Sequence, residues 1–204
     1  TSPCNDNASV TRFMLEKAAK HWPHGPRLHP IGALTVGLGG KEMAPLAELH
    51  AAGCRAFSND GRPMENSEVF RRAVEYAADL GCIVIDHCED LSLARGGFLN
   101  EGVNSGLLGL KGQPVVSESL HVARDLLMAE YLDLPIHLAH ISAGQSVELI
   151  RWGKSRGVKI TAETCPHYLL LDDSMLKGYS PNLKASPPLR SVEDVITLRW
   201  AVAE

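Results

Sequence analysis

The chain alternates between two kinds of hydrophobic pattern. Short, almost continuously apolar runs rich in β-branched residues predict strands that are buried on both faces. Longer segments with an apolar residue every three or four positions predict amphipathic helices. This repeated alternation predicts an α/β fold around a parallel sheet. The predicted strands are Leu28–Val36, Cys54–Asn59, Cys82–Asp86, Pro135–Ala139 and Val158–Glu163.

The ends of several predicted helices carry capping signals. Asn7 and Asn66 stand where an N-cap is needed, because a short polar side chain accepts hydrogen bonds from the first turn. Gly53, Gly81 and Gly157 follow three helices at the position that favours a left-handed residue. The predicted helices are Ala8–His21, Met43–Ala52, Ser67–Leu80, Glu118–Leu132, Gly144–Arg156 and Ser191–Val202.

Two helices have an apolar stripe that predicts their buried face. In the first helix the stripe consists of Val10, Phe13, Met14 and Ala18. In the helix that begins at Ser67 it consists of Val69, Phe70, Ala73, Val74 and Ala77.

Five predicted strands fit either an open doubly wound sheet or part of a closed barrel. A complete (β/α)8 barrel needs about 250 residues, so a barrel of this kind would lack about three of its eight strands here. The first residue is not Met and the chain opens in a loop-like stretch, so we expect the N-terminus to be a cut. The segment 91–116 is rich in glycine and aperiodic, and it is long for a structureless connection, which predicts an active-site loop.

Composition excludes several classes of protein. The formal net charge of -4 and the scattered basic residues give no basic patch for nucleic acid. No apolar run approaches the roughly 20 residues of a membrane span, and no signal peptide is recognisable. The 5 cysteines contain no C-x-x-C pair, which favours reduced thiols. We therefore expect a cytoplasmic globular protein with no nucleic-acid or membrane partner.

Polar residues follow three of the predicted strands directly. Asp60 follows the second strand, His87 the third and His140 the fourth. Ligand sites of both candidate architectures lie at the carboxyl ends of strands. Carboxylate and imidazole are typical ligands of zinc (Zn²⁺), so these three side chains are the predicted metal ligands. The alternative is that the histidines have structural, hydrogen-bonded roles and bind no metal.

Three further residues lie near these strand ends. His137 is three positions before His140, so the two side chains point to opposite faces, and the end position favours His140 as the ligand. Glu163 and His167 follow the fifth strand. Glu163 and His167 are each as consistent with lining the site as with a structural role.

The motifs, taken in order, resemble one family, the class I dihydroorotases of the amidohydrolase superfamily. The resemblance covers nearly the whole chain. The matching segments are Ala-Phe-Ser-Asn-Asp-Gly at 56–61, Ile-Asp-His-Cys-Glu-Asp at 85–90, Asn-Glu-Gly at 100–102, His-Leu-Ala-His-Ile-Ser at 137–142, Thr-Ala-Glu at 161–163, Pro-His at 166–167 and Pro-Pro-Leu-Arg at 187–190.

This resemblance implies a (β/α)8 TIM-like, metal-dependent hydrolase barrel that is incomplete here, with residues 1–204 forming one domain that contains about strands three to seven. It implies two zinc ions per subunit with a hydroxide between them. Asp60 would bridge both ions, while His87 and His140 would hold one. The implied reaction is the reversible hydrolysis of (S)-dihydroorotate to N-carbamoyl-L-aspartate, a step of pyrimidine synthesis.

The resemblance also implies that parts of the active site are absent from these residues. The His-x-His pair and its arginine belong to the first strand of the family, and the general acid/base aspartate is expected beyond residue 204. We therefore expect no catalytic residue within this chain and no activity from it alone. A homodimer and an association with aspartate transcarbamoylase are the possible protein partners.

One position departs from the family pattern. Ser186 precedes Pro-Pro-Leu-Arg where dihydroorotases carry a substrate-binding asparagine, and a hydroxyl offers fewer hydrogen bonds than an amide. Ser-Pro-Pro-Leu-Arg is also similar to hydantoinases, and Cys-Pro-His-Tyr at 165–168 is similar to allantoinases. Hydantoinases, however, carry a lysine on the strand that here ends in Asp60. A non-catalytic scaffold subunit is a further alternative, although such proteins usually lose the metal ligands that this chain retains.

Overall fold

The computed structural model describes residues 2–204, which form two compact units. One unit contains the chain up to His87 together with Leu134–His137, and the other contains Cys88–Asp133 and Leu138–Glu204. The strands are β1 (Ile31–Ala33), β2 (Ala56–Ser58), β3 (Ile83–Asp86), β4 (Leu99–Asn100), β5 (Gly112–Gln113), β6 (Ile136–Leu138) and β7 (Ile160–Ala162). All five predicted strands are present, each shorter than predicted, so the predicted α/β fold with a parallel sheet is confirmed.

The six predicted helices are also present. Three short helices were not predicted, and three-residue 3-10 helices occur at Val36–Leu38, Asp173–Met175 and Pro181–Leu183. The α-helices are α1 (Ala8–His21), α2 (Leu46–Ala52), α3 (Ser67–Asp79), α4 (Leu91–Ala94), α5 (Val103–Leu108), α6 (Val116–Leu132), α7 (Gly144–Ser155), α8 (Pro166–Leu170) and α9 (Val192–Val202).

Parallel strands form the centre of the first unit. Ile31 of β1 lies opposite Ala56 of β2, which in turn lies opposite Ile83 of β3. The strand order continues from β3 to β6, whose first two residues belong to this unit. Phe57 and Val84 are buried in the middle of their strands, as expected for a sheet that is covered on both faces.

The two helices with predicted stripes differ in how well the stripe gives the buried face. In α3, Asn66 caps the helix as predicted, and the apolar stripe is buried apart from Val69 at its edge. In α1, Asn7 caps the helix as predicted, but the buried residues are Ala8 and Thr11, and Phe13 is 58% exposed. Val10, Met14 and Ala18 of the predicted stripe are half-buried, so the stripe matches the buried side of α1 only in part. Thr11 lies on the buried side because its hydroxyl donates a 2.7 Å hydrogen bond to the side chain of Asn5. A pattern of apolar residues does not predict a polar contact of this kind.

The segment 91–116 of the second unit, predicted as an aperiodic loop, contains regular secondary structure. It contains α4 and α5, and β4 and β5 pair in parallel. Asp90 caps α4 by accepting hydrogen bonds from the backbone of Ser92 and Leu93. Gly109 ends α5 with φ 62, a left-handed conformation that glycine adopts without strain. These elements are too short to produce periodicity, so capping residues alone signal them.

The core of the second unit lies where α6, α7 and α9 pack together. Gly153 of α7 stands so close to Leu126 of α6 that an added Cβ would lie 2.5 Å from the leucine side chain. The last residue of β6, Leu138, accepts a 3.0 Å hydrogen bond from the backbone N–H of Glu163, which follows β7. Among the described residues, no helix combines the length and the apolar character that a bilayer crossing requires.

Candidate metal and substrate site

Two of the predicted metal ligands lie together in the first unit. Asp60 and His87 follow β2 and β3, and these parallel neighbours direct their carboxyl ends to the same edge of the sheet. Nδ1 of His87 is 3.2 Å from Oδ1 of Asp60. The imidazole is only 3% exposed, whereas the carboxylate side chain is 67% exposed. A buried imidazole beside an accessible carboxylate is a candidate metal-binding pair.

The turn that carries Asp60 is fixed by its neighbours. Its backbone N–H donates a 3.0 Å hydrogen bond to Oγ of Ser58. The preceding residue, Asn59, is buried; its side chain accepts from the backbone of Thr35 at 3.1 Å and donates to the hydroxyl of Thr35 at 2.6 Å. The backbone N–H of Arg62 closes the turn onto the carbonyl of Asn59 at 2.8 Å. Asp60 is therefore positioned by backbone as well as side-chain contacts.

The third predicted ligand, His140, belongs to the second unit. It is half-buried and lies two residues after the end of β6, with a φ of 38°. The left-handed region is uncommon for a residue other than glycine, so the surrounding structure must hold this conformation. The structure thus brings Asp60 and His87 together within the first unit, whereas His140 belongs to the second unit.

The remaining candidate residues lie at strand ends as well. His137 is in β6 and half-buried, and Glu163 is exposed directly after β7. His167 is in α8, which the sequence did not predict, and its ring centroid is 4.0 Å from that of Tyr168. Burial raises the pKa of Tyr168 well above its ordinary value, and its hydroxyl donates a 2.5 Å hydrogen bond to the carbonyl of Pro187. His167 therefore packs beside a buried, neutral phenol.

Ser186 lines a cavity of about 380 Å³ in the second unit. The serine is exposed, and the cavity wall also carries Glu89, Gln113, Arg95 and Lys184. The amide of Gln113 donates a 2.6 Å hydrogen bond to the carboxylate of Glu89. The wall of this cavity therefore combines charges of both signs with neutral hydrogen-bond donors and acceptors.

A buried charged network of the second unit was missed by the sequence prediction. Glu118 in the first turn of α6 is 2% exposed and accepts hydrogen bonds from the backbone N–H groups of Ser142 and Ala143 at 3.1–3.2 Å. It also accepts from the hydroxyls of Ser142 and Ser146, the latter at 2.6 Å. Arg190, 1% exposed, lies 3.9 Å from the same carboxylate.

Burial and charge act in opposite directions on Arg190. Burial lowers the pKa of its guanidinium, while the nearby carboxylates of Glu118 and Asp194 oppose that shift. The sequence contained one signal for this network: Glu118 is four residues before Val122 and eight before Leu126, both fully buried on α6. A charge in register with the buried face of a helix indicates a paired, functional or structural role.

Comparison with models of protein families identifies the family of the chain. The model of the family described as dihydro-orotase-like matches residues 23–146. The chain belongs to the dihydro-orotase-like family. The match includes Asp60, His87 and His140, and it ends before the segment that carries Ser186 and Arg190.

Curated relatives of this dihydro-orotase-like chain carry the name dihydroorotase. A protein from Geotalea daltonii is 46% identical over 204 residues, which is 100% of this chain and 48% of the relative. A protein from Desulforapulum autotrophicum is 48% identical over 194 residues, covering 95% of this chain and 45% of the relative. The chain therefore spans about half the length of the curated relatives it matches.

Solved structures show the same fold at lower sequence identity. An L-hydantoinase (dihydropyrimidinase) from Arthrobacter aurescens superimposes with a TM-score of 0.75 at 20% identity, covering 95% of this chain and 44% of that one. A D-hydantoinase from a Bacillus species gives a TM-score of 0.66 at 20% identity, covering 92% and 44%. Identity this low establishes similarity of fold.

The donor atoms of this dihydro-orotase-like chain suit a divalent metal. Imidazole nitrogen and carboxylate oxygen are the donors that zinc accepts, and a carboxylate can bridge two ions through its two oxygens. Asp60 and His87 supply one of each at 3.2 Å, close enough for both atoms to contact one ion. By contrast, the carboxylate of Glu118 is enclosed by protein donors, so it does not resemble a ligand.

Proposed function

We propose that the protein that contains this chain catalyses, at its natural length, the reversible hydrolysis of (S)-dihydroorotate to N-carbamoyl-L-aspartate. The observation that carries the proposal is the 3.2 Å contact between Asp60 and His87 at adjoining strand ends of a dihydro-orotase-like chain. The name dihydroorotase of relatives that are 43–48% identical supports this substrate over hydantoin or allantoin.

We propose Asp60, His87 and His140 as metal ligands, with two zinc ions per subunit and Asp60 bridging them. Residue chemistry and position support this choice, since each side chain is a carboxylate or imidazole within two residues of the carboxyl end of a strand of the main sheet. When bound, zinc supplies a water of lowered pKa near neutral pH and polarises the attacked carbonyl. The residues of this chain would hold and orient the metal. His87 would do so from a buried position and Asp60 from an accessible one.

The five strands of the main sheet would be numbers three to seven of a (β/α)8 barrel, and residues 1–204 would be part of that one domain. The similarity of fold to two hydantoinases supports this assignment. On this proposal the general acid/base aspartate lies beyond residue 204, so no catalytic residue is assigned within the chain. Ser186 is proposed as a substrate contact because it lines a polar cavity.

We also propose a cytoplasmic location for the protein. No disulfide joins the five cysteines, all of which lie within the described residues, and reduced thiols fit a reducing compartment such as the cytoplasm. A homodimer and a complex with aspartate transcarbamoylase are the proposed protein partners, and both rest on the family resemblance alone. Measurement of the molecular mass of the purified protein, with and without aspartate transcarbamoylase, tests both.

Metal content and substrate range test the proposal together. The natural-length protein should contain about two zinc ions per chain and hydrolyse dihydroorotate, with allantoin and dihydrouracil tested beside it. Turnover of another cyclic amide would replace the proposed substrate. Metal-free, inactive protein would favour the scaffold alternative.

A matched pair of variants tests the choice of ligand on β6. His140→Asn should lower the zinc content, whereas His137→Asn should leave it close to that of the unaltered protein. The two histidines lie three residues apart, so loss of zinc in the His137 variant alone would reverse the assignment.

A further inference from the structure

The backbone that follows His140 is anchored at four consecutive amide groups. The N–H of Ile141 donates to the carbonyl of Glu163 at 2.8 Å, and the N–H groups of Ser142 and Ala143 donate to the carboxylate of Glu118. The next amide, of Gly144, donates to Asp194 at 2.7 Å. Glu118 thus occupies the middle of this anchor and supplies the acceptors for two of the four donors.

The anchor lies directly after a strained residue. His140 has a φ of 38°, a left-handed conformation that a residue with a Cβ adopts only where the surrounding structure imposes it. A flexible continuation would let the backbone of His140 relax towards a common conformation and turn its side chain away. The hydrogen bonds at residues 141–144 prevent this relaxation.

Glu118 itself is suited to anchoring and unsuited to binding a ligand. Its carboxylate is 2% exposed and receives hydrogen bonds from two backbone amides and two hydroxyls. Arg190 provides the balancing positive charge at 3.9 Å and also donates to the hydroxyl of Ser142 at 3.1 Å. A buried carboxylate with four donors and a cation has satisfied its polar requirements within the protein.

Arg190 extends the anchor to other segments of the same unit. Its guanidinium donates to the side chain of Asn100 at 3.1 Å and to the carbonyl of Gln113 at 3.0 Å, so it contacts both β4 and β5. Asn100 in turn donates to Asp173 at 2.9 Å, whose backbone N–H donates to the carbonyl of Arg190 at 2.8 Å. One buried arginine therefore connects the segment 91–116 to the backbone after β6.

We infer that Glu118 and Arg190 are positioning residues of the metal site: they hold the backbone at 141–144 and so fix the orientation of His140. The inference rests on the proposed role of His140 as a ligand. Neither residue touches metal or substrate on this account. Both act through the backbone, as groups behind a ligand commonly do.

The substitution Glu118→Gln, made in the natural-length protein, tests this inference. The amide keeps the volume of the side chain but removes the charge and replaces one of the two acceptor oxygens, which together receive the Ser142 and Ala143 amides and two hydroxyls, with a hydrogen-bond donor. We expect zinc affinity and kcat to fall by about tenfold to a hundredfold, with KM little changed. Amide hydrogen exchange in residues 141–144 should accelerate. The control Glu148→Gln alters an exposed glutamate of α7 and should change none of these quantities.

A double variant separates positioning from stability. In Glu118→Gln or Arg190→Gln one buried charge loses its partner, and the melting temperature should fall in each. Removing both charges leaves no unpaired ion, so the melting temperature of the double variant should recover in part. Zinc affinity and kcat should stay low because the acceptor of the 142–143 backbone is still altered. Recovery of kcat together with stability would show that the network is merely structural and overturn the inference.

The outcomes distinguish this inference from the proposed function. Absence of zinc from the unaltered protein would sink the proposed function. Zinc that is present in the unaltered protein and bound equally tightly by Glu118→Gln would sink the positioning role alone. Unchanged amide exchange at 141–144 in that variant would also overturn it, whatever the substrate proves to be.

Discussion

Asp60 and Glu118 are both carboxylates beside functional candidates, yet their surroundings are opposite. The side chain of Asp60 is 67% exposed and lies 3.2 Å from an imidazole nitrogen. The side chain of Glu118 is 2% exposed and accepts hydrogen bonds from backbone amides and hydroxyls. The carboxylate of Asp60 is therefore accessible to a ligand, whereas that of Glu118 accepts hydrogen bonds from groups of the protein itself.

This difference in exposure separates two functions of a carboxylate, metal binding and stabilisation of the local conformation, that sequence motifs alone do not distinguish. A carboxylate that binds metal must keep oxygen atoms accessible, and it contributes little to folding. A carboxylate enclosed by donors stabilises the conformation around it, but only while its charge stays compensated. Substitutions at the two positions should therefore move different observables, and the following variants test that separation.

The largest effect is expected at the cation that compensates Glu118. Arg190→Leu leaves a buried carboxylate without its partner and should reduce the free energy of unfolding by about 3–5 kcal/mol. Guanidinium denaturation measures this change. Arg151→Leu is the matched control, because Arg151 pairs with Glu148 and Glu204 at the surface, and it should have a much smaller effect. Similar losses for both variants would remove the distinction between buried and exposed pairs.

The next effect concerns Asp60. Asp60→Asn should weaken zinc binding by about a hundredfold, equivalent to about 2.7 kcal/mol, and abolish turnover of dihydroorotate. Its free energy of unfolding without metal should change by less than about 0.5 kcal/mol, as is usual for an exposed residue. Metal titration and denaturation on the same preparation measure both. Unchanged zinc content would contradict the bridging role.

A smaller effect is expected in the segment that Arg190 contacts. Gly112 of β5 approaches Glu101 so closely that an added Cβ would lie 2.4 Å from its backbone Cα. Gly112→Ala should therefore separate β4 from β5 and cost about 1–3 kcal/mol of unfolding free energy. Gly106→Ala is the control in α5, where an added Cβ meets no atom within 4 Å. Equal stability of the two variants would mean that this close approach is not required.

The smallest effect is expected at Tyr168. Tyr168→Phe removes the 2.5 Å hydrogen bond to the carbonyl of Pro187 and keeps the buried ring. The free energy of unfolding should fall by about 1 kcal/mol, the net value of one such bond. Tyr179→Phe removes a hydrogen bond of an exposed tyrosine to Leu108 and should cost less. A reversed order would indicate that burial does not decide the contribution.

Sequence pattern predicted those parts of the fold in which apolar periodicity and burial coincide. The strands and α3 are of this kind, since Phe70, Ala73 and Val74 are both periodic and buried. The buried face of α1 was predicted only in part, because Thr11 is buried through a hydrogen bond to Asn5 that apolar periodicity does not reveal. The elements within 91–116 were missed because two-residue strands and one-turn helices have no measurable period.

For the site, the sequence predicted the residues that follow strands and missed those that act through the backbone. The contact between Asp60 and His87 follows from strand adjacency, which the alternation of elements implies. The role of Glu118 depends on two amide groups some 24 residues further along the chain, and no local pattern encodes a contact of that separation. The three-ligand site and the substrate contact of Ser186 remain predictions.

The division of β6 between the two units has a consequence for synthesis of the protein. The first unit needs Leu134–His137, yet the ribosome makes Cys88–Asp133 of the second unit before it reaches them. A nascent chain halted at Asp133 lacks β6 entirely, so the first unit must wait, with the edge of β3 open, while more than forty residues of its neighbour emerge. During that interval the unpaired edge of β3 is open to pairing with other chains, as unpaired strand edges in incompletely folded proteins are.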